Sequence, residues 1–423
     1  MNKTNKPIWE QPWGYFEGFY IAIGIAVSGF LLQITIGNLQ LNAFQYPVNL
    51  IVGLTFVAIL ILCHYLFKKS SIVRWLSSVY ATVPAIVVLL SVIIILGIVP
   101  QFVPYASPHD IPHNLAGLFG WYQMTTSWTF IFISYFNLII LGFVILKRTR
   151  RRFTWQDIGF YLNHVGIFLA FMGGMLGSSD VSRLSMTVAE GNVEWRAEDE
   201  RNNLIELPIA IQLDTFMIEE YPPKLMVVDL ESSLVLPKNK PVWFEYEGEN
   251  KSKKLSDYTI DILSYIPNAA IMHDSLNTYA VPFHSEGGAS AIKVRVSNAE
   301  MDNPKVGWVS NGSYMFPHSI VYIDEKTAVA MPVQEVKKYT SHVQVYTESG
   351  DIKEAIIQVN KPLTVANWTI YQLSYDESKG KYSTTSVFEL VKDPWLPVVY
   401  VGIIMLLLGS LYLFIVGPKK KKS

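Results

Sequence analysis

Two histidines, His64 and His164, fall inside stretches apolar enough to cross a membrane. A polar side chain in hydrocarbon needs a partner or a function, and a neutral imidazole is a good ligand for haem iron. At 1.5 Å per residue, His164 sits roughly 10 Å above the inner end of its span and His64 roughly 6 Å from the inner end of its own. At about 100° per residue, Tyr161, Phe168, Phe171 and Met175 project from the His164 face of one helix. Gly166, Ala170, Gly173 and Gly177 occupy nearly the opposite face and would let another helix approach closely. The His164 face could therefore stack on a flat macrocycle. The plainer alternative is that its aromatics face lipid or core while His164 only donates a hydrogen bond to a neighbouring helix. His64 has the same two readings, axial ligand or a side chain reaching toward the inner headgroups beside Lys68.

Other residues offer less. His109 and His113 have i, i+4 spacing, but Pro112 between them breaks the helix that would align them on a metal. His273, His284, His318 and His342 are scattered without ligand spacing. Cys63 is the single cysteine, so the chain holds no CxxC thiol pair, no internal disulfide and no CxxCH haem-attachment motif. No serine–histidine–acid or paired-carboxylate arrangement is legible.

These residues need apolar elements to position them. Hydrophobic residues make up 50% of the 423 and charged residues only 16%, against about 25% in soluble domains, so the class is membrane protein. The net charge of −1 argues against nucleic-acid binding. Six stretches are long enough to span: roughly 17–37, 48–67, 77–99, 127–146, 157–177 and 395–417. The first is read as an uncleaved helix, with a signal peptide as the alternative. Lys3, Lys6, Lys68, Lys69, Arg74, the basic run 147–152 and the terminal lysines fall on one side if the helices alternate. The positive-inside rule then puts both termini in the cytoplasm and residues 178–394 outside.

The outer segment is too long for a loop. Alternation in 208–213, 291–296, 342–346 and 355–359, with frequent Gly, Pro, Asn and Asp, predicts antiparallel strands in a sandwich or open barrel. The fold class is thus an α+β membrane protein: six transmembrane helices and a large, mainly antiparallel β domain between helices five and six. Four segments follow: an N-terminal helical hairpin over 1–71, three helices over 72–177, the β-rich domain over 178–394, and a final helix with a basic tail over 395–423.

A string of specific residues precedes the last span: 360–363, then Trp368, Tyr371, Gln372, Ser374, Tyr375, Asp376, Ser386, Phe388, Asp393 and Pro394. This string resembles the ResB (CcsB, Ccs1) family of system II cytochrome c biogenesis. The stretch 161–166 with Gly173 and Gly174 is similar to the family helix that carries a membrane histidine. Gly120, Trp121, Trp128 and Asn137 are similar to the helix before it, and Ser77, Ser78, Gly97, Pro100 and Gln101 to its first helix. The resemblance runs over about 72–417, although 225–340 carries no motif that matches. The hairpin helices at 17–37 and 48–67 are additional to the family plan.

The resemblance implies a subunit of the inner-membrane complex that holds or exports haem b and presents it to apocytochrome c outside the membrane. His164 would be one axial ligand. A CcsA/ResC-type membrane protein would be the partner, since this chain lacks that family's Trp-rich haem-handling segment. Thiol-reducing factors would keep the apocytochrome ready. The chain would be a non-catalytic or co-catalytic subunit rather than an enzyme alone. Two other readings remain open at this point. One is an electron-transfer protein with a b-type haem between His64 and His164; the other is a non-haem envelope scaffold or sensor.

Overall fold

The computed structural model describes residues 9–102, 111–274 and 277–416. His109, Lys3, Lys6 and the terminal lysines lie outside them. The chain divides into two compact units, one made of Met1–Arg183, Glu200–Asn203 and Lys392–Ser423, the other of Leu184–Asp199 and Leu204–Val391.

The first unit is helical. Its elements are α1 (Tyr15–Ile36), α2 (Val48–Leu66), α3 (Ser71–Leu76), α4 (Val79–Ile98), α5 (Leu115–Leu118), α6 (Trp128–Arg148), α7 (Trp155–Gly177) and α8 (Leu396–Val416). Six of these, all but the short α3 and α5, are long and apolar enough to cross a membrane, which makes this a multi-pass membrane protein. Their bounds all lie within two residues of the spans expected from the sequence.

Caps and close approaches explain the arrangement. Thr154 caps α7 in a capping box, its backbone N–H donating to Asp157 Oδ2 at 2.7 Å and its hydroxyl donating to the same oxygen at 2.8 Å. Ser127 caps α6 by accepting from Phe130 N–H. The α1 helix meets α6 at Gly29, where a Cβ would fall 2.7 Å from the Trp128 carbonyl oxygen. Beyond α7, Asp180 ties three helix ends together. Its carboxylate accepts from Asn49 Nδ2 and Trp395 Nε1, each at 2.7 Å, and from Tyr46 N–H at 2.8 Å.

The second unit is antiparallel β throughout its named sheets. An eight-stranded sheet runs, in spatial order, Ile352–Gln358, Val336–Thr347, Leu204–Glu220, Val193–Glu198, Ser182–Ala189, Thr385–Lys392, Trp368–Tyr375 and Leu363–Val365. Its core is Met186, Ile209, Ile211, Leu213, Val345, Ile370 and Phe388, so the alternating run at 208–213 buries every second side chain. Two five-stranded sheets complete the unit, one around Tyr258–His273 and Ala289–Ser297, the other around Lys224–Asp229 and Thr327–Ala330. They share a second core of Leu225, Val227, Ile260, Ile262, Ile292 and Val294. The strands expected to form a sandwich or open barrel make one eight-stranded sheet and two five-stranded sheets that share a core. Within the described residues of this unit the only helical segment is the 3₁₀ turn Glu377–Tyr382.

Candidate membrane histidine site

The site is set by what holds α7. On one side the small residues let α8 come into backbone contact: a Cβ on Gly166 would lie 2.7 Å from the Gly402 carbonyl oxygen. The Gly402 position is as tight, 2.6 Å from the Ala170 nitrogen. At the start of α7, Asp157 forms an ion pair with Arg148 at 2.5 Å, fixing the end of α6 against it.

His164 is half-buried on α7. Its Nδ1 lies 2.9 Å from the Phe160 carbonyl oxygen. A carbonyl can only accept, so the proton of a neutral ring sits on Nδ1 and the lone pair is left on Nε2. That is the tautomer an iron ligand requires, oriented by a carbonyl partner as metal-bound histidines generally are. The imidazole stacks on the Phe160 ring, with centroids 3.9 Å apart and planes 25° from parallel. The Arg148 guanidinium lies over the same ring, 5.0 Å from its centroid.

The aromatic residues expected beside His164 divide between roles. Tyr161 stacks on Phe153 at 6.3 Å and stands edge-on to Phe160 at 5.5 Å. Phe168 is drawn into helix packing: it lies parallel to Phe56 of α2 at 6.5 Å and joins the cluster of Leu60, Val73 and Phe143. Phe171 and Met175 are half-buried further along α7. The ring against the imidazole is instead Phe160, which the sequence reading omitted. The signal was present, because a residue four before His164 is only about 40° away round the helix.

Of the two readings of His64, a side chain reaching for the headgroups does not hold: it is 1% exposed, with Tyr65 at 5.5 Å and Phe143 at 6.5 Å. The cause is lateral packing: Leu60, one turn earlier, joins Phe143 of α6 in a buried cluster and turns this face of α2 inward. Neither ring nitrogen of His64 has a hydrogen-bond partner among the described residues. Arg150 donates to its backbone carbonyl at 2.7 Å. A buried imidazole without a partner carries a desolvation cost of about 1–3 kcal/mol, which an iron or a donor from another subunit would offset. Both histidines therefore fit an axial ligand chemically. Their ring contacts are separate sets.

Among the described residues the remaining histidines form no metal-binding group. His273 Nδ1 is 2.9 Å from Thr278 Oγ1, and His342 sits in the sheet opposite Thr215 and Ile356. Among the described residues no group of three or more His, Cys, Asp or Glu side chains is placed to hold a metal ion.

The model of the ResB-like family matches residues 151–389, more than half of the chain. The match takes in α7 with His164, and it excludes α2 with His64. Its bounds also enclose 225–340, where no motif could be aligned from the sequence. No curated protein matches the chain.

Proposed function

The chain belongs to the ResB-like family of cytochrome c biogenesis proteins, and from that premise we propose that it is a membrane subunit of a system II cytochrome c maturation complex. Haem b is its cargo, held or exported across the bacterial inner membrane and presented to reduced apocytochrome c outside. Bound haem supplies the vinyl groups to which the apocytochrome cysteines of CxxCH are joined as thioethers. This chain's residues bind and orient. His164 offers Nε2 to the iron while Phe160 supports the ring. A CcsA/ResC-type membrane protein provides the second ligand and the synthase half, and thiol-reducing factors keep the apocytochrome cysteines free. The observation that carries the reading is an imidazole inside the family-matched region with Nδ1 tied to the Phe160 carbonyl and Nε2 left over.

A strain lacking the chain should lose covalently attached haem from its c-type cytochromes on a denaturing gel stained for haem. Full staining would contradict the proposal and favour a scaffold or sensor.

The placement follows the basic loops: both termini cytoplasmic, residues 178–394 outside. Reporter fusions after Arg152 and after Leu230 should give cytoplasmic and extracytoplasmic signals respectively. The opposite pattern would invert the account of where haem is delivered.

A second reading draws on the partnerless ring of His64. In it, one b-type haem is held within this chain by His64 and His164, and the protein transfers electrons. It differs from the first in needing no partner to retain haem.

A further inference from the structure

The helical unit holds a pocket that the proposed haem site does not use. It lies where α1 and α4 begin, beside the short α3, and its volume of about 470 Å³ is that of a small-molecule site. The two helix starts are level. A Cβ on Gly18 of α1 would run into the Tyr80 carbonyl oxygen of α4, and the Tyr15 and Tyr80 rings meet at 4.8 Å. The last turn of α6 reaches the same level, where Lys147 Nζ donates to the Ser77 carbonyl at 2.9 Å. Where spanning helices end together, hydrocarbon gives way to headgroups. The pocket therefore opens at an interface, that of the inner leaflet in the proposed topology.

Three observations define what the pocket would accept. Its apolar wall is Trp13 against Trp75, edge to face at 5.4 Å, a residue type that favours this depth. Among the described residues the one charged group lining it is Arg74, which is exposed and whose guanidinium has no hydrogen-bond or ion-pair partner there. Ser71 and Tyr80 add hydroxyls and Gln11 an amide, all on side chains that are at least partly accessible and make no hydrogen bond among the described residues. Donors thus dominate the reachable polar groups, and no Asp or Glu stands among the described lining residues. Thirdly, the neighbouring positions in the chain are apolar and uncovered: Phe16 in the first turn of α1 is 79% exposed, Ile72 is 49% and Val79 59%.

An unpaired guanidinium with hydroxyl donors beside it matches a phosphate, which takes a planar fork of N–H groups on its oxygens. A soluble phosphate ester would satisfy the donors and leave the apolar surroundings bare. A phospholipid satisfies both. We propose that this pocket binds the headgroup of an anionic glycerophospholipid, with Arg74 and the Tyr80 hydroxyl on the phosphate and the Trp13 and Trp75 rings against the glycerol. Its acyl chains run over Phe16, Ile72 and Val79. The sign of the headgroup follows from the lining: the ammonium of a zwitterionic lipid would find no carboxylate there, and Lys147 nearby repels it further. A lipid seated this way joins the start of α1 to α3 and α4 and does not depend on what the histidines bind.

The test is native mass spectrometry of the full chain in detergent, titrated with phosphatidylglycerol or with phosphatidylethanolamine of the same acyl chains. One phosphatidylglycerol should bind about tenfold more tightly than the other lipids that follow it, and than phosphatidylethanolamine. Arg74→Gln should remove about tenfold of that affinity and Tyr80→Phe about threefold. Arg152→Gln, which deletes the same charge from an exposed site outside the pocket, should leave it unchanged. Both pocket variants should unfold thermally as wild type when no lipid is added, since the Arg74 and Tyr80 side chains are exposed. Unchanged binding in both of them would overturn the assignment. So would an equal loss in Arg152→Gln, which would reduce the effect to the general charge of that face. Equal affinity for the two lipids would mean an ordinary lipid shell and overturn it as well. Glycerol phosphate is the last arm: if it displaces the lipid at equal concentration, the occupant is a soluble phosphate ester and the lipid assignment fails.

Discussion

Replacement of His164 by Ala should lower cytochrome c assembly by at least about tenfold while the protein still inserts and accumulates. The proposed role of His164 makes the loss large: removing an axial ligand would leave an iron position open, and even the residues behind a ligand are usually worth about 10–100-fold in metal affinity. The fold has little reason to object. Among the described residues the only side-chain hydrogen bond of His164 is to its own helix, at the Phe160 carbonyl, and Ala is the better helix former. Losing the imidazole also uncovers the Phe160 ring, which it stacks upon at 3.9 Å. External imidazole should then enter the space and restore part of the assembly. Covalent-haem staining across an imidazole series measures this. A histidine that only braced α7 would show neither the loss nor the rescue.

The second large effect concerns the α7–α8 contact. Gly402→Leu should cost on the order of 3 kcal/mol, the upper range for overpacking, and should sharply reduce the amount of folded protein. A Cβ there meets the Ala170 nitrogen and the Gly166 carbonyl oxygen, both at 2.6 Å. These are backbone atoms and cannot swing aside, so α8 itself must move. Gly24→Leu in α1 is the control, because a Cβ at that position finds nothing within 4 Å. Thermal unfolding in nanodiscs should separate the two variants widely. Equal behaviour would mean that the helices do not meet along the glycine stripe.

The glycine stripe itself was legible, because Gly166, Ala170, Gly173 and Gly177 recur on one helical face and apolarity marks a span without any knowledge of its neighbours. The partner on that stripe was not, since Gly402 lies in the last helix, across the whole β unit. Strands behaved likewise. Ile209, Ile211 and Leu213 advertise a buried face by alternation, but the pairing of Leu204–Glu220 with Val336–Thr347 depends on contacts distant in sequence. The burial of His64 had no local signal, because it comes from Leu60 meeting Phe143 of another helix. Phe160, by contrast, was available from spacing alone. The interfacial pocket joins Trp13 to Trp75 across α1 and α2, and no pattern in sequence relates the two.

The most direct measurement is the absorption spectrum of the chain purified alone and with the proposed CcsA/ResC-type partner, as wild type, His164→Ala and His64→Ala. The account predicts a low-spin, bis-imidazole haem b spectrum only in the wild-type and His64→Ala complexes, with little haem on the isolated chain. Stoichiometric haem on the chain alone, kept by His164→Ala and lost by His64→Ala, would contradict it.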